Sequence, residues 1–272
     1  MELDGLKFRW IYGACYEMIL PGGKSLIVDP WIQPHHFEEM NWDDVQGADY
    51  ILISHTHYDH ITDVGYLAKK YDSKVIIGAM SAMEIARLFD ISYNNMYPVY
   101  PQEDLSFDDL DIHAMWGKHS YIIKEHAHLS TPSLMQPKFK DDFGTCYDYC
   151  NHVGTIEMVN YMLTFSNNMR LFFSSGGLEE IKTGWKAVEE FRPNVVIRHL
   201  LKNMSAKEFA EYCARTKAQL VLPHHHENFA KIGVNVDEYI NEVNSYLKEM
   251  GSVTRVFNPE LFKWYHVTMG LS

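Results

Sequence analysis

Residues 51–63 read ILISHTHYDHITD, and His55, His57, Asp59 and His60 stand within six positions directly after an apolar run. Imidazole nitrogens and a carboxylate on one short loop suit Zn2+, Mn2+ or Fe rather than Ca2+ or Mg2+. Side chains two apart in extended chain point the same way, so His55 and His57 can present both rings to one point. Asp59 and His60 follow where the chain should turn into a helix, and from there they reach a second point. Two-metal sites sit about 3.5–4 Å apart. The competing reading is a polar loop with incidental histidines. It accounts for any one of these residues, but poorly for H-x-H-x-D-H at the mouth of an apolar strand.

One loop cannot fill a coordination sphere, and two distant places offer more donors. His119 follows the β-type run DIHAMWGK, and the triple HHH at 224–226 follows QLVLP. The chain holds 15 histidines, clustered at 55–60 and 224–226, with others at 113, 119, 126, 128, 152 and 199. Neighbours in an extended segment alternate, so one of His224 and His226 points away from any shared centre. His226 could instead donate to a developing oxyanion. Arg198 and His199 close the run NVVIRHL, where an Arg could clamp a carboxylate or phosphate, against the competing reading of a buried structural ion pair. His126 and His128 have ligand-like spacing inside an irregular stretch that His152 ends, and pocket wall or plain surface competes there. Arg198, His199, His226, His126, His128 and His152 are therefore candidates for substrate contact.

The elements that must position these groups alternate. FRWIYGACYEMIL and SLIVDPW read as two β-rich runs joined by the turn PGGK, and ADYILIS is short and continuously apolar, as a strand buried on both faces is. A helix is expected over 62–71, the strand KVIIGA next, and a helix SAMEIARLF opened by a capping box of Ser81 and Glu84. DLSFDDLDIHAMW is β-type, and GTIEMVNYMLTF with MRLFFSS reads as a second hairpin. Helices WKAVEEF and those capped by Ser205 and Asn235 then alternate with strands NVVIRHL, AQLVLP and SVTRVF. Hairpins open each half and β/α alternation closes it. This predicts one α/β domain over 1–272, with two sheets facing each other and helices outside. The irregular stretch at about 120–152 is expected to be a lid-like insertion.

Bulk properties narrow the function. The formal charge of −12 argues against a duplex-binding surface, because phosphate backbones need a concentrated Lys/Arg face. No apolar run approaches the roughly 18–20 residues that span a bilayer, and the start MELDGLKFRW lacks a signal-peptide pattern. The four cysteines (Cys15, Cys146, Cys150 and Cys213) are irregularly spaced, unlike a disulfide framework. A soluble protein of a reducing, cytoplasmic compartment is expected, acting on a small molecule without nucleic acid or membrane; oligomeric state is open, a homo-oligomer included.

LIVDP with Asp29, SHTHYDH, His119 and LPHHHENF together resemble the metallo-β-lactamase superfamily from about Lys7 to Phe257. Within it, the P-x-H spacing that selects His225 is similar to the L-ascorbate-6-phosphate lactonase-like group. The resemblance implies a four-layer αββα sandwich of two mixed sheets flanked by helices. It implies one site from His55, His57 and His119 and a second from Asp59, His60 and His225. Asp29 would orient ligand imidazoles by accepting their other N–H. Asp59 and His225 would be catalytic, with Asp59 placing a water and taking its proton. The cofactor would be Zn2+ or Mn2+, with Fe a further option, as one or two ions.

One position departs from the family. An aspartate bridging two metals follows the strand after the insertion in most members; here that strand is RLFFSS, and Gly176 occupies the place, with Glu179 and Glu180 the nearest acids. Three outcomes follow: one metal suffices, a histidine from 120–152 completes the second site, or the site binds metal without catalysis. The expected activity is metal-dependent hydrolysis of a small ester, lactone or phosphoester. The rivals are a degenerate metal-binding or regulatory protein and a nuclease or phosphodiesterase of the same superfamily.

Overall fold

The computed structural model describes residues 5–32, 41–119, 153–178, 181, 183–201 and 203–268. The first half runs β1 (Leu6–Tyr12), β2 (Cys15–Ile19), β3 (Ser25–Val28), β4 (Tyr50–Leu52), α1 (Tyr58–Ile61), α2 (Val64–Tyr71), β5 (Lys74–Gly78), α3 (Ala79–Phe89) and β6 (Met96–Val99). The second runs β7 (Asp104–Ser106), β8 (Leu110–Gly117), β9 (Met158–Phe165), β10 (Arg170–Ser174), α4 (Gly184–Phe191), β11 (Val195–His199), α5 (Ala206–Thr216), β12 (Leu220–His224), α6 (Val236–Glu249) and β13 (Arg255–Val256). A last strand, β14 (Tyr265–Val267), returns to pair with β1.

Each half builds one mixed sheet. The orders are β14-β1-β2-β3-β4-β5-β6 and β13-β12-β11-β10-β9-β8-β7. Pairing is antiparallel up to β3 and parallel from β3 to β6; likewise it is antiparallel from β7 to β10 and parallel from β10 to β13. The expected hairpin-then-β/α order is therefore present twice, and the two mixed sheets with flanking helices form the αββα sandwich.

Strand periodicity sorts the apolar side chains into three layers. Leu26, Val28, Leu52, Ile76, Tyr161, Leu171, Phe173, Ile197 and Leu222 meet between the sheets. The alternate residues Ile27, Ile51, Val75 and Ile77 pack under α1–α3, and Phe172, Val196 and Val221 pack under α4–α6. Burial on both faces is why these strands read as unbroken apolar runs. The Tyr161 hydroxyl ties the sheets together, donating to the Ile53 carbonyl at 2.8 Å with both residues fully buried. Tyr161→Phe leaves that carbonyl unpaired and is expected to cost about 1–3 kcal/mol in urea denaturation. An unchanged midpoint would contradict it.

Three local expectations are corrected and one strand is added. FRWIYGACYEMIL is two strands, because Gly13 turns the chain at φ +54°, a left-handed conformation open to glycine. The segment at 153–156 is a helical turn, so β9 begins only at Met158. Helix α3 begins at Ala79 rather than at Ser81, without a capping box. Its first turn is satisfied from afar, since Glu157 accepts from the Met80 N–H (2.9 Å), the Ser81 N–H (3.2 Å) and the Ser81 hydroxyl (3.0 Å). β14 was not read from sequence at all. The caps at Ser205 and Asn235 are formed as expected. Cys15 and Cys213 are buried free thiols, and among the described residues no helix is long and apolar enough to cross a membrane.

Candidate metal centre

The parallel strands β4, β11 and β12 end on one edge of the sandwich, where open α/β sheets place ligands. The loop after β4 carries His55 and His57, α1 carries Asp59 and His60, the end of β8 leads to His119, and β12 leads to His225. The donor atoms of His55, His57 and His119 all lie within 4.8 Å of one another, and so do those of Asp59, His60 and His225. The groups adjoin, since the His55 and His60 rings are 3.9 Å apart between centroids.

Hydrogen bonds assign the ring protons in the second group. Asp29 is fully buried; it accepts from the Ser54 N–H (2.7 Å), the Ser54 hydroxyl (2.6 Å) and His60 Nδ1 (2.7 Å). A carboxylate only accepts, so His60 donates from Nδ1 and turns Nε2 toward the centre. His225 likewise has Nδ1 3.4 Å from Glu227 Oε1, and its Nε2 lies 3.3 Å from His60 Nε2. Asp59 Oδ2 completes the ring of acceptors at 3.8 Å from His60 Nε2 and 4.0 Å from His225 Nε2. Three ligand-type atoms, His60 Nε2, His225 Nε2 and Asp59 Oδ2, thus converge.

The first group follows the same logic. The Ser54 hydroxyl has given its proton to Asp29, so its 2.9 Å contact with His55 Nδ1 makes that nitrogen the donor. His55 Nε2 then faces His57 Nδ1 at 3.1 Å, while His57 Nε2 contacts the Thr155 hydroxyl at 3.1 Å. Two nitrogens about 2.0 Å from one tetrahedral Zn2+ stand about 3.3 Å apart. Both facing pairs have that spacing, and the residues fit a transition ion.

Electrostatics agree. Burial, followed by the neighbouring imidazoles of His60, His57, His119 and His225, holds His55 well below the usual imidazole range, so it stays neutral and able to ligate. Burial pulls His225 the same way, but the Glu227, Asp59 and Asp29 carboxylates outweigh it and raise its pKa. Asp59 is pushed up by burial and more strongly down by His60, His225 and His57, and is held ionised. The cluster calls for positive charge.

Other candidates part company with it. Arg198 is 1% exposed and lies over the Tyr212 ring at 4.4 Å, with Nη1 donating to the Ser174 and Gly176 carbonyls at 3.4 Å. Strand alternation puts Ile197 between the sheets and Arg198 on the helix side, so it braces the end of β10 and is not a substrate clamp. His226 packs against Trp10 (4.0 Å between centroids), and burial lowers its pKa to about 4. That contact replaces the expected oxyanion role. His199 does face the centre, 4.9 Å from His225 and stacked on His224 at 5.1 Å. His126, His128, His152, Glu179, Glu180 and the expected lid at 120–152 lie outside the described residues.

The turn at Gly176 excludes any side chain. A Cβ there would sit 2.6 Å from Gly117 Cα and 2.8 Å from Lys118 N. Lys118 and Gly177 exchange backbone hydrogen bonds of 2.9 and 2.7 Å beside it, and Asn160 Oδ1 accepts the Gly176 N–H at 2.8 Å. Sequence reasoning did not name Ser54, Thr155, Asn160 or Glu227. Thr155 and Asn160 reach the site only through tertiary folding, whereas Glu227, two residues from His225, was open to inspection.

Asp29→Asn would aim an amide N–H2 at one of three donors. Metal affinity is expected to fall about 10–100-fold in a competitive chelator titration, and parental affinity would contradict the orienting role.

Residues 7–225 match the family described as "Beta-lactamase superfamily domain". The chain belongs to the metallo-β-lactamase superfamily. It is similar to a UPF0173 metal-dependent hydrolase of Anaeromyxobacter dehalogenans, with 31% identity over 156 residues, 56% of this chain and 51% of that one. The matched part spans about a third to a half of the length of such curated relatives. In fold it is similar to Igni18, a metallo hydrolase of Ignicoccus hospitalis, with TM-score 0.70 and 14% identity over 97% of this chain and 99% of that one. It is also similar to CmlA, a diiron β-hydroxylase of Streptomyces venezuelae, with TM-score 0.63 and 12% identity over 98% of this chain and 54% of that one.

Proposed function

We propose that this chain is a metal-dependent hydrolase of a small ester, lactone or phosphoester, a lactone or simple ester being favoured by the resemblance to the lactonase-like group. The observation that carries the reading is the convergence of two adjoining trios, His55, His57 and His119 and Asp59, His60 and His225, each with its donor atoms within 4.8 Å of one another. The relatives' shared name supports it.

The donor set points to Zn2+ or Mn2+, with Fe a further option, as one or two ions. A bound ion supplies an acidified water and polarises a carbonyl or phosphoryl oxygen. The chain's own residues do the rest. Asp29 and Ser54 fix the rings of His60 and His55. Asp59, with a side chain 23% exposed, offers an ionised carboxylate that can take a proton. His199 stays neutral under burial and the neighbouring His225 and Arg198, so it can donate a hydrogen bond to substrate.

A second reading, metal binding without turnover, is favoured by the closed turn at Gly176. The nuclease reading is opposed by the charge of −12. Metal analysis combined with hydrolysis of lactone, ester and phosphodiester substrates and single-stranded RNA separates the three. Metal-dependent cleavage of a lactone or ester is expected; stoichiometric metal without turnover, or RNA cleavage alone, would overturn it.

A further inference from the structure

We propose that Glu227 is the positioning carboxylate of the Asp59–His60–His225 group, and that it brings from the β12 side the negative charge that the turn at Gly176 cannot hold. The inference rests on the metal-binding part of the function proposed above. The Gly176 position admits no carboxylate because its Cβ would meet the Gly117 and Lys118 backbone. Among the described residues that leaves Asp59 as the one acid in the donor group and Asp29 as the partner of His60. His225 Nδ1 faces away from both, toward Glu227 Oε1 at 3.4 Å, with the two side chains 10% and 11% exposed.

The local backbone explains the contact. His225 adopts φ +57°, its N–H donates to the Gly13 carbonyl at 3.1 Å, and a 3-10 helix starts at His226. This left-handed step folds the side chain two residues on back beneath the imidazole. Asn228 Nδ2 then donates to Glu227 Oε1 at 2.9 Å, and Lys231 donates to Asn228 Oδ1 at 3.0 Å, so the carboxylate is held from its outer side. Its Oε2 is buried without a hydrogen-bond partner among the described residues. A buried carboxylate oxygen left unpaired is costly unless positive charge lies close by. An imidazole pinned at Nδ1 by a carboxylate is a fixed tautomer and a more basic ligand at Nε2.

The test compares Glu227→Gln, which removes the charge and keeps the shape, with Glu227→Asp, which keeps the charge and shortens the reach. Zn2+ and Mn2+ binding to the full chain is titrated by calorimetry, with Asp29→Asn as a control, and the His225 tautomer is read in metal-free protein by 15N long-range NMR at alkaline pH, where the imidazole is neutral. Glu227→Gln is expected to weaken one class of ion about 10–100-fold, leave the other unchanged and lose the single Nδ1–H tautomer. Glu227→Asp should recover part of both. Parental affinity together with an unchanged tautomer in Glu227→Gln would overturn the proposal. If the parent chain bound no ion, the hydrolase reading would fail, and the tautomer would still decide whether Glu227 positions His225.

Discussion

His57→Ala is expected to strip the ion held with His55 and His119 and to reduce hydrolysis below about a thousandth of the parent, a barrier increase of about 4 kcal/mol. The reason is geometric. His57 turns its Nδ1 toward His55 Nε2 at 3.1 Å, and Thr155 holds its far nitrogen. Alanine removes the donor, and among the described residues the His55–His57–His119 group holds no carboxylate to replace it. The loop itself should survive, since Ser54 and Asp29 anchor it on the other side. Elemental analysis and rate measurements on the same sample check both halves. Retention of full metal content with full activity would show that His57 is not a ligand.

Gly176→Asp is expected to damage the protein, although it supplies the acid that the family resemblance leads one to expect there. Any Cβ must push into the backbone of Gly117 and Lys118, at 2.6 and 2.8 Å, and neither neighbour is a flexible side-chain end. The reciprocal bridge between Lys118 and Gly177 would open, and that bridge places His119, the next residue. Overpacking against backbone, with a buried carboxylate added, should cost about 3 kcal/mol or more. Urea denaturation should show the loss, accompanied by weaker metal binding at the His119 group. A stable variant with tighter binding of a second ion would contradict this description of the turn.

Much of the centre was legible in the chain. H-x-H-x-D-H after an apolar run placed four donors, because strand alternation and a loop-to-helix turn are local rules that hold whatever lies around them. His119 and His225 were found at the ends of β-type runs with help from the family pattern. Arg198 shows where local rules stop: alternation says that it and His199 face opposite ways, but only the packed helices decide which face is the site. Ser81 shows a different limit. It reads as a cap, yet Glu157, 76 residues away, serves that turn instead. Thr155 was equally hidden, 98 residues from the histidine it supports. Gly13 was missed because a left-handed turn inside FRWIYGACYEMIL carries no turn signal beyond a single glycine.

The most direct measurement is X-ray absorption and anomalous diffraction on the chain loaded with Zn2+ or Mn2+. Bound metal is expected with imidazole nitrogens at about 2.0–2.1 Å in the Zn2+ form, contributed by His55, His57 and His119, with any further ion held by Asp59, His60 and His225. Saturated protein without ordered metal, or metal located away from both trios, would show that these rings gather for some reason other than binding a cation.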